Sequence, residues 1–178
     1  LLGLIALFLI DQVPVDARYL GSSNFETKRA ASNSFAPTEA DKEILSDEGE
    51  FRVLNLAVSV FNDASTSYHH QSIGGYSGAK MKRYQELIET SLTDDINSLI
   101  TSLRSASTME EAEGVLRNLG TLNMLNTRYI ILDPGSAPLH NSHAAGNAWL
   151  VNRVTLVENA DAELQAIKII NHKEEAVV

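Results

Sequence analysis

The chain opens on an unbroken apolar run, Leu1-Leu2-Gly3-Leu4-Ile5-Ala6-Leu7-Phe8-Leu9-Ile10, and the first charge is Asp11. No polar stripe interrupts it, so it reads either as an element buried in a domain or as the last turns of a helix leaving a bilayer. About 20 apolar residues are needed to cross the hydrocarbon, so this run alone does not span it. A secretory leader would place basic residues before such a run and a small-residue cleavage site after it, and the run carries neither. Asp11-Gln12-Val13-Pro14 combines charge with proline and predicts that the helix ends there. Residues 21–36 mix Gly, Ser, Asn and scattered charge without a period, the pattern of a loop or linker.

Beyond residue 37 helical and strand periods alternate. Thr38 predicts the N-cap of a short helix through Leu45, with Glu39 and Asp41 placed to favour its dipole, and Asp47-Glu48-Gly49-Glu50 ends it. Residues 51–58 are apolar on both alternating faces except at Arg52 and Asn55, which predicts a strand covered on both sides. A helix over about 78–91 would carry Met81, Tyr84, Leu87 and Ile88 on one stripe. Thr93, followed by Asp94 and Asp95, reads as the start of another, with Ile96, Leu99, Ile100 and Leu103 on its apolar face. Thr108-Met109-Glu110-Glu111 has the form of a capping box. Its helix would turn Ala112, Val115, Leu116 and Leu119 inward and stop at Gly120.

Residues 128–132 predict a strand closed by Asp133-Pro134-Gly135, and residues 148–157 form the longest strand candidate. Asn159 caps a last helix to about Ile170 that buries Leu164 and Ile167, before a polar C-terminus. No repeat of solenoid period is present. The expected fold is α/β or α+β: a small mixed sheet of three or more strands packed with about five helices, its strand order open.

Composition narrows the chemistry. At 178 residues the chain suits about one domain with a core of its own. The absence of cysteine removes disulfides, thiolate nucleophiles and Cys-ligated metal. With 14 basic against 23 acidic residues the net charge is −9, which disfavours nucleic acid and anionic lipid as general partners.

The stretch from Phe61 to Lys80 is compositionally the oddest, packing amides, hydroxyls, aromatics, His69, His70, Gly74, Gly75 and Gly78 between a buried strand and an amphipathic helix. Loops in that position are where α/β folds place ligand sites. Glycines there let backbone N–H groups approach an anion, and Lys80, Lys82 and Arg83 add local positive charge. The stretch therefore reads as an anion or sugar-phosphate site, or as a polar loop that satisfies its own backbone. It lacks the Walker A spacing and the G-x-G-x-x-G pattern. His69 and His70 are adjacent and face apart in an extended loop, and His140 and His143 have no spacing that enforces convergence, so no metal site is expected. Ser65, Ser67, His69 and Asp63 lack a nucleophile elbow, so no catalytic residue is expected either. Trp149 reads as a strand aromatic packed in the core or as a platform for a sugar ring.

Several segments together resemble the YfhO-like bacterial membrane proteins, in the form found in Bacteroides. They are Asp11 with Val15-Asp16 and Arg18-Tyr19-Leu20; Phe51-Arg52-Val53-Leu54-Asn55-Leu56; and Phe61-Asn62-Asp63-Ala64-Ser65-Thr66-Ser67-Tyr68-His69. Then come Ser72-Ile73-Gly74-Gly75-Tyr76, Gly78-Ala79-Lys80 and Arg83-Tyr84-Gln85-Glu86-Leu87-Ile88. Leu122-Asn123-Met124-Leu125-Asn126-Thr127-Arg128-Tyr129 and Gly146-Asn147-Ala148-Trp149 complete the set.

The resemblance implies a polytopic parent similar to transferases that use lipid-linked sugars. Residues 1–20 would be the end of a transmembrane helix and its exit, 21–50 a linker with a short helix, and 51–178 a soluble α/β domain on the extracytoplasmic, periplasmic side of a bacterial membrane. The family's catalytic acid lies in an early loop between membrane helices, so no catalytic residue carries over and no cofactor is implied. The expected partners are the parent's own membrane-helix bundle and a glycan acceptor or lipid-linked sugar head group, not nucleic acid. The contacting residues would be Asn62, Asp63, Tyr68, His69, Gly74, Gly75, Tyr76, Lys80 and Arg83. Asn62, Asp63 and Tyr68 would hydrogen-bond, Gly74 and Gly75 would donate backbone N–H groups, and Lys80 and Arg83 would pair with charge. The alternative is a structural module that braces the bundle or a partner and holds no ligand.

Overall fold

The structure is a computed structural model that describes residues 1–105 and 109–178. It divides into two units, residues 1–36 and 37–178. In the first unit, helix α1 (Leu2–Tyr19) contains Pro14 and buries none of its residues. The expected stop at Asp11–Pro14 is therefore not where this helix ends. Proline removes one N–H and crowds one carbonyl, a loss confined to one turn. Helical bonding resumes beyond it, and Leu20 N–H donates to the Asp16 carbonyl at 2.6 Å. Residues 21–36 also hold more structure than a linker. Thr27 caps helix α2 (Lys28–Ser34), its hydroxyl accepting from Ala30 N–H at 3.2 Å. Among the described residues no helix is long and apolar enough to cross a membrane.

The second unit is mixed α/β, as the patterning predicts. Helix α3 (Glu39–Leu45) starts with the Thr38–Asp41 capping box, which satisfies two of its otherwise orphaned donors. Strands β1 (Arg52–Asn55), β2 (Thr127–Ile131) and β3 (Leu139–His140) form one sheet in that order. β1 and β2 run parallel, with Leu54 opposite Ile130, and β3 is antiparallel to β2. Alternation along β1 sorts its side chains as the sequence implied. Leu54 enters a helical core with Leu92, Leu99, Leu116, Leu119, Leu122 and Ile130, whereas Val53 and Ile131 pack with Ala40 and Ile44 of α3.

Between the two parallel strands the helices depart from expectation in instructive ways. α4 (Lys82–Leu87) runs through a π-helical turn (Ile88–Leu92) directly into α5 (Thr93–Ser105), so the two expected helices are one rod. The Thr93 hydroxyl, instead of capping a new helix, donates back to the Ile88 carbonyl at 2.7 Å. That carbonyl also accepts the Thr93 N–H, so the hydroxyl adds a second bond within the wide turn, a recurrent habit of threonine inside helices. The capping box expected at Thr108 falls outside the described residues. α6 (Met109–Arg117) ends three residues before Gly120, and Gly120 opens α7 (Gly120–Met124) rather than closing a helix. The N-terminal donors of α7 are met from another helix: Asp95 Oδ2 accepts from Thr121 N–H at 2.8 Å and Leu122 N–H at 3.0 Å.

After α7 the chain reverses at Asn126, whose φ of 55° lies in the left-handed region that asparagine tolerates. Its side-chain amide donates to the Glu50 carbonyl and to Asn147 Oδ1. Two buried amides hold this reversal. Asn123 donates to the Leu116 carbonyl at 2.9 Å, and Asn141 donates to both Asn123 Oδ1 and the Thr127 carbonyl at 2.8 Å.

The long strand expected over 148–157 contracts to β4 (Arg153–Thr155), which pairs in parallel with β5 (Glu175–Val177) behind helix α8 (Ala160–Ile167). Among the described residues β4 pairs with this short strand alone, and Trp149 turns its indole N–H to the His172 carbonyl at 2.6 Å instead of continuing a ladder. Asn159 caps α8 as expected, accepting from Ala162 N–H, although Leu164 and Ile167 are only partly covered.

Truncating Leu122, which is 1% exposed in the helical core, should cost about 2–5 kcal/mol as Leu122→Ala. Truncating the exposed Leu4 of α1 should change stability by less than about 0.5 kcal/mol in water. Urea-unfolding midpoints of the two variants check this contrast.

Candidate functional site

The loop after β1 turns back to extend the sheet. Val53 N–H donates to the Gln71 carbonyl at 2.8 Å and Ile73 N–H to the Val53 carbonyl at 3.0 Å, so Gln71–Ile73 runs parallel beside β1. Asn55 anchors the start of the loop, donating to the Thr66 hydroxyl at 3.1 Å. His70 Nε2 lies 2.8 Å from Asp41 Oδ1, fastening the loop to α3. Burial by itself pushes the Asp41 carboxyl up. The Thr38 N–H and hydroxyl and the His70 ring outweigh it and hold the group below its ordinary value of 3.8.

Beyond Ile73 the loop bounds a cleft of about 320 Å³ lined by Phe61, Ser67, Tyr76, Lys80 and Tyr84, with Gly74 and Gly75 in its wall. Four of the nine expected site residues meet here: Gly74, Gly75, Tyr76 and Lys80. Lys80 Nζ sits 5.4 Å above the Phe61 ring, and Tyr76 is 71% exposed. Tyr84 donates its hydroxyl to the Ile73 carbonyl, and burial raises its pKa despite the nearby Arg52.

Both glycine N–H groups, expected to donate to a ligand, are engaged within the loop. Gly75 N–H donates to the Val60 carbonyl at 2.7 Å and Gly74 N–H to the Ser72 hydroxyl at 3.1 Å. A Cβ on Gly74 would stand 1.8 Å from the Val60 oxygen, and Gly75 has a φ of +114°. Glycine is required at both positions by close approach and by backbone conformation.

The other expected residues do not line this cleft. Asp63 accepts from the Ser65 N–H at 2.8 Å and from its hydroxyl, and these bonds hold its carboxyl below the ordinary range. Asn62 donates to the Ser59 hydroxyl at 3.4 Å. Tyr68 and His69 meet edge to face at 4.9 Å between centroids. Arg83 borders a separate depression with Glu86, Asp161 and Glu163. Among the described residues no group of three His, Asp or Glu could hold a metal ion.

Sequence reasoning passed over a second, more polar cleft. It measures about 310 Å³ and lies between α5, the end of α6 and the segment after α8, with Asp94, Asp95, Arg117, Lys168 and His172 in its lining. Burial pushes the Asp95 carboxyl up, partly offset by the Leu122 and Thr121 N–H bonds, and the charge of Asp94 adds to the rise. Thr121 donates its hydroxyl to Ser91 in the same wall at 2.9 Å. His172 is 6% exposed, its Nε2 has no hydrogen-bond partner, and burial with the charge of Lys173 depresses its pKa. The only sequence signal was the pair Asp94-Asp95, which reads equally well as helix-dipole complementation.

The Asp41–His70 link gives a pH test of the loop. A carboxyl whose folded pKa is depressed contributes stability above its unfolded value and loses it as pH falls through the folded one. The native chain should therefore lose stability as pH drops below about 3.8. Asp41→Asn should be less stable at neutral pH and flatter across that acid window, as read from urea midpoints against pH.

Compared with protein-family models, with curated proteins and with solved structures, the chain finds no match.

Proposed function

We propose that the chain is an extracytoplasmic accessory domain of a membrane-anchored, glycosyltransferase-like protein, and that the cleft beyond Ile73 contacts a polar glycan or the head group of a lipid-linked sugar. The observation that carries this reading is the lining itself: the rings of Phe61, Tyr76 and Tyr84 beside the Ser67 hydroxyl and the Lys80 ammonium. Flat aromatic faces suit the C–H side of a pyranose, and a hydroxyl and a cation suit its oxygens or an attached phosphate. Contact runs through side chains, since the Gly74 and Gly75 N–H groups are engaged within the loop.

Membrane attachment draws on α1. Its residues Leu2–Ile10 are uncharged, and Leu2, Leu4, Leu7, Phe8 and Ile10 are all at least 64% exposed. A protein groove covers one stripe of a helix, whereas hydrocarbon accommodates an apolar surface on every side.

The bracing alternative is favoured by the loop's internal bonding, above all Asn55 to Thr66 and His70 to Asp41. Titration of soluble oligosaccharides, followed by amide and tyrosine-ring chemical shifts, separates the two. On the glycan reading Tyr76→Ala and Lys80→Ala each weaken binding roughly tenfold, and Arg83→Ala leaves it unchanged because Arg83 lies outside the cleft. No shifts between Gly74 and Lys80 with any saccharide would make the loop a brace.

A further inference from the structure

The Asp95–His172 cleft plays no part in that reading, and its chemistry points to a different kind of molecule. Charges of both signs line it, and they come from different elements: Asp94 and Asp95 from α5, Arg117 from the end of α6, Lys168 from just beyond α8. Among the described residues Asp94, Arg117 and Lys168 make no ion pair or side-chain hydrogen bond, with each other or with a third group. Asp95 is held by one oxygen only. Oδ2 accepts both α7 amides, and among the described residues none donates to Oδ1. Keeping that carboxylate partly buried costs solvation, which a cation placed beside Oδ1 would restore. In the same lining His172 Nε2 is a buried ring nitrogen without a hydrogen-bond partner, which carries a desolvation penalty.

We propose that this cleft binds a small zwitterion, an amino-acid-like molecule whose ammonium pairs with Asp95 Oδ1 and Asp94 and whose acid group pairs with Arg117 and Lys168. A simple anion would leave the two aspartates facing it, and a simple cation would leave Arg117 and Lys168 uncompensated. The volume, about 310 Å³, sits at the lower end of small-molecule pockets and has room for an amino-acid-sized ligand together with water.

The test is an amide chemical-shift titration of the full chain with glycine, β-alanine and γ-aminobutyrate, which differ in charge separation. Methylamine, acetate and glucose serve as singly charged and neutral controls. The expected result is that at least one zwitterion shifts Thr121, Leu122 and His172 and binds about tenfold or more tighter than any control. Arg117→Ala and Lys168→Ala should each weaken that binding about tenfold with unchanged thermal unfolding, because both side chains are exposed and unpaired. If none of the three zwitterions moves these resonances up to millimolar concentration, the proposal fails. It fails equally if acetate, methylamine or glucose binds as tightly, or if the two variants bind like the native chain.

Discussion

The parallel pairing of β1 with β2 depends on a chain reversal that two buried amides hold in place. Asn123 and Asn141 together bind the end of α6, the start of β2 and each other, in a region from which water is excluded. Inside a low-dielectric interior such bonds are strong when complete and costly when any member is lost. The segment they organise delivers β2 into its register, and that register sets which residues of β1 face the helices and which face α3. The hydrophobic sorting of the unit follows from a polar joint.

Much of this unit is legible in the sequence because it is local. Thr38 with Asp41 encodes the start of α3, Asn159 the start of α8, and two-sided apolarity the covered strand β1. Most of what escapes is non-local. Asp95 caps α7 from a helix twenty-six residues earlier, so Gly120 could not be recognised as a beginning. The amphipathic stripes on either side of Thr93 look like two helices unless one knows that its hydroxyl bonds backward. The residues after Trp149 carry strand composition, but only Arg153–Thr155 pair, with the three-residue β5, and pairing decides strands more than composition does.

The candidate sites divide along the same line. The unusual composition between Phe61 and Lys80 lies beside a cleft, yet several of the residues expected to meet a ligand instead fold the loop. Gly74 and Gly75 close it against Val60, and Asp63 turns it at Ser65. Polar residues in a loop answer first to the backbone's own hydrogen-bonding demand, and only those left over can meet a ligand. The Asp95–His172 cleft reverses the case, since its residues come from three separated stretches and no window of the sequence holds them together.

The wide turn at Ile88–Leu92 has one more consequence. It carries one residue more than a regular helical turn would, and each helical residue rotates the next by about 100°. Winding that turn as regular α-helix with all its residues kept would spin everything after it by about that angle. Asp95 would swing away from the amides of α7, and the stripe of Ile96 and Leu99 would leave the core. The indexing of this rod is thus set by one surplus residue, and the placement of a helix and the wall of a cleft are both read from it.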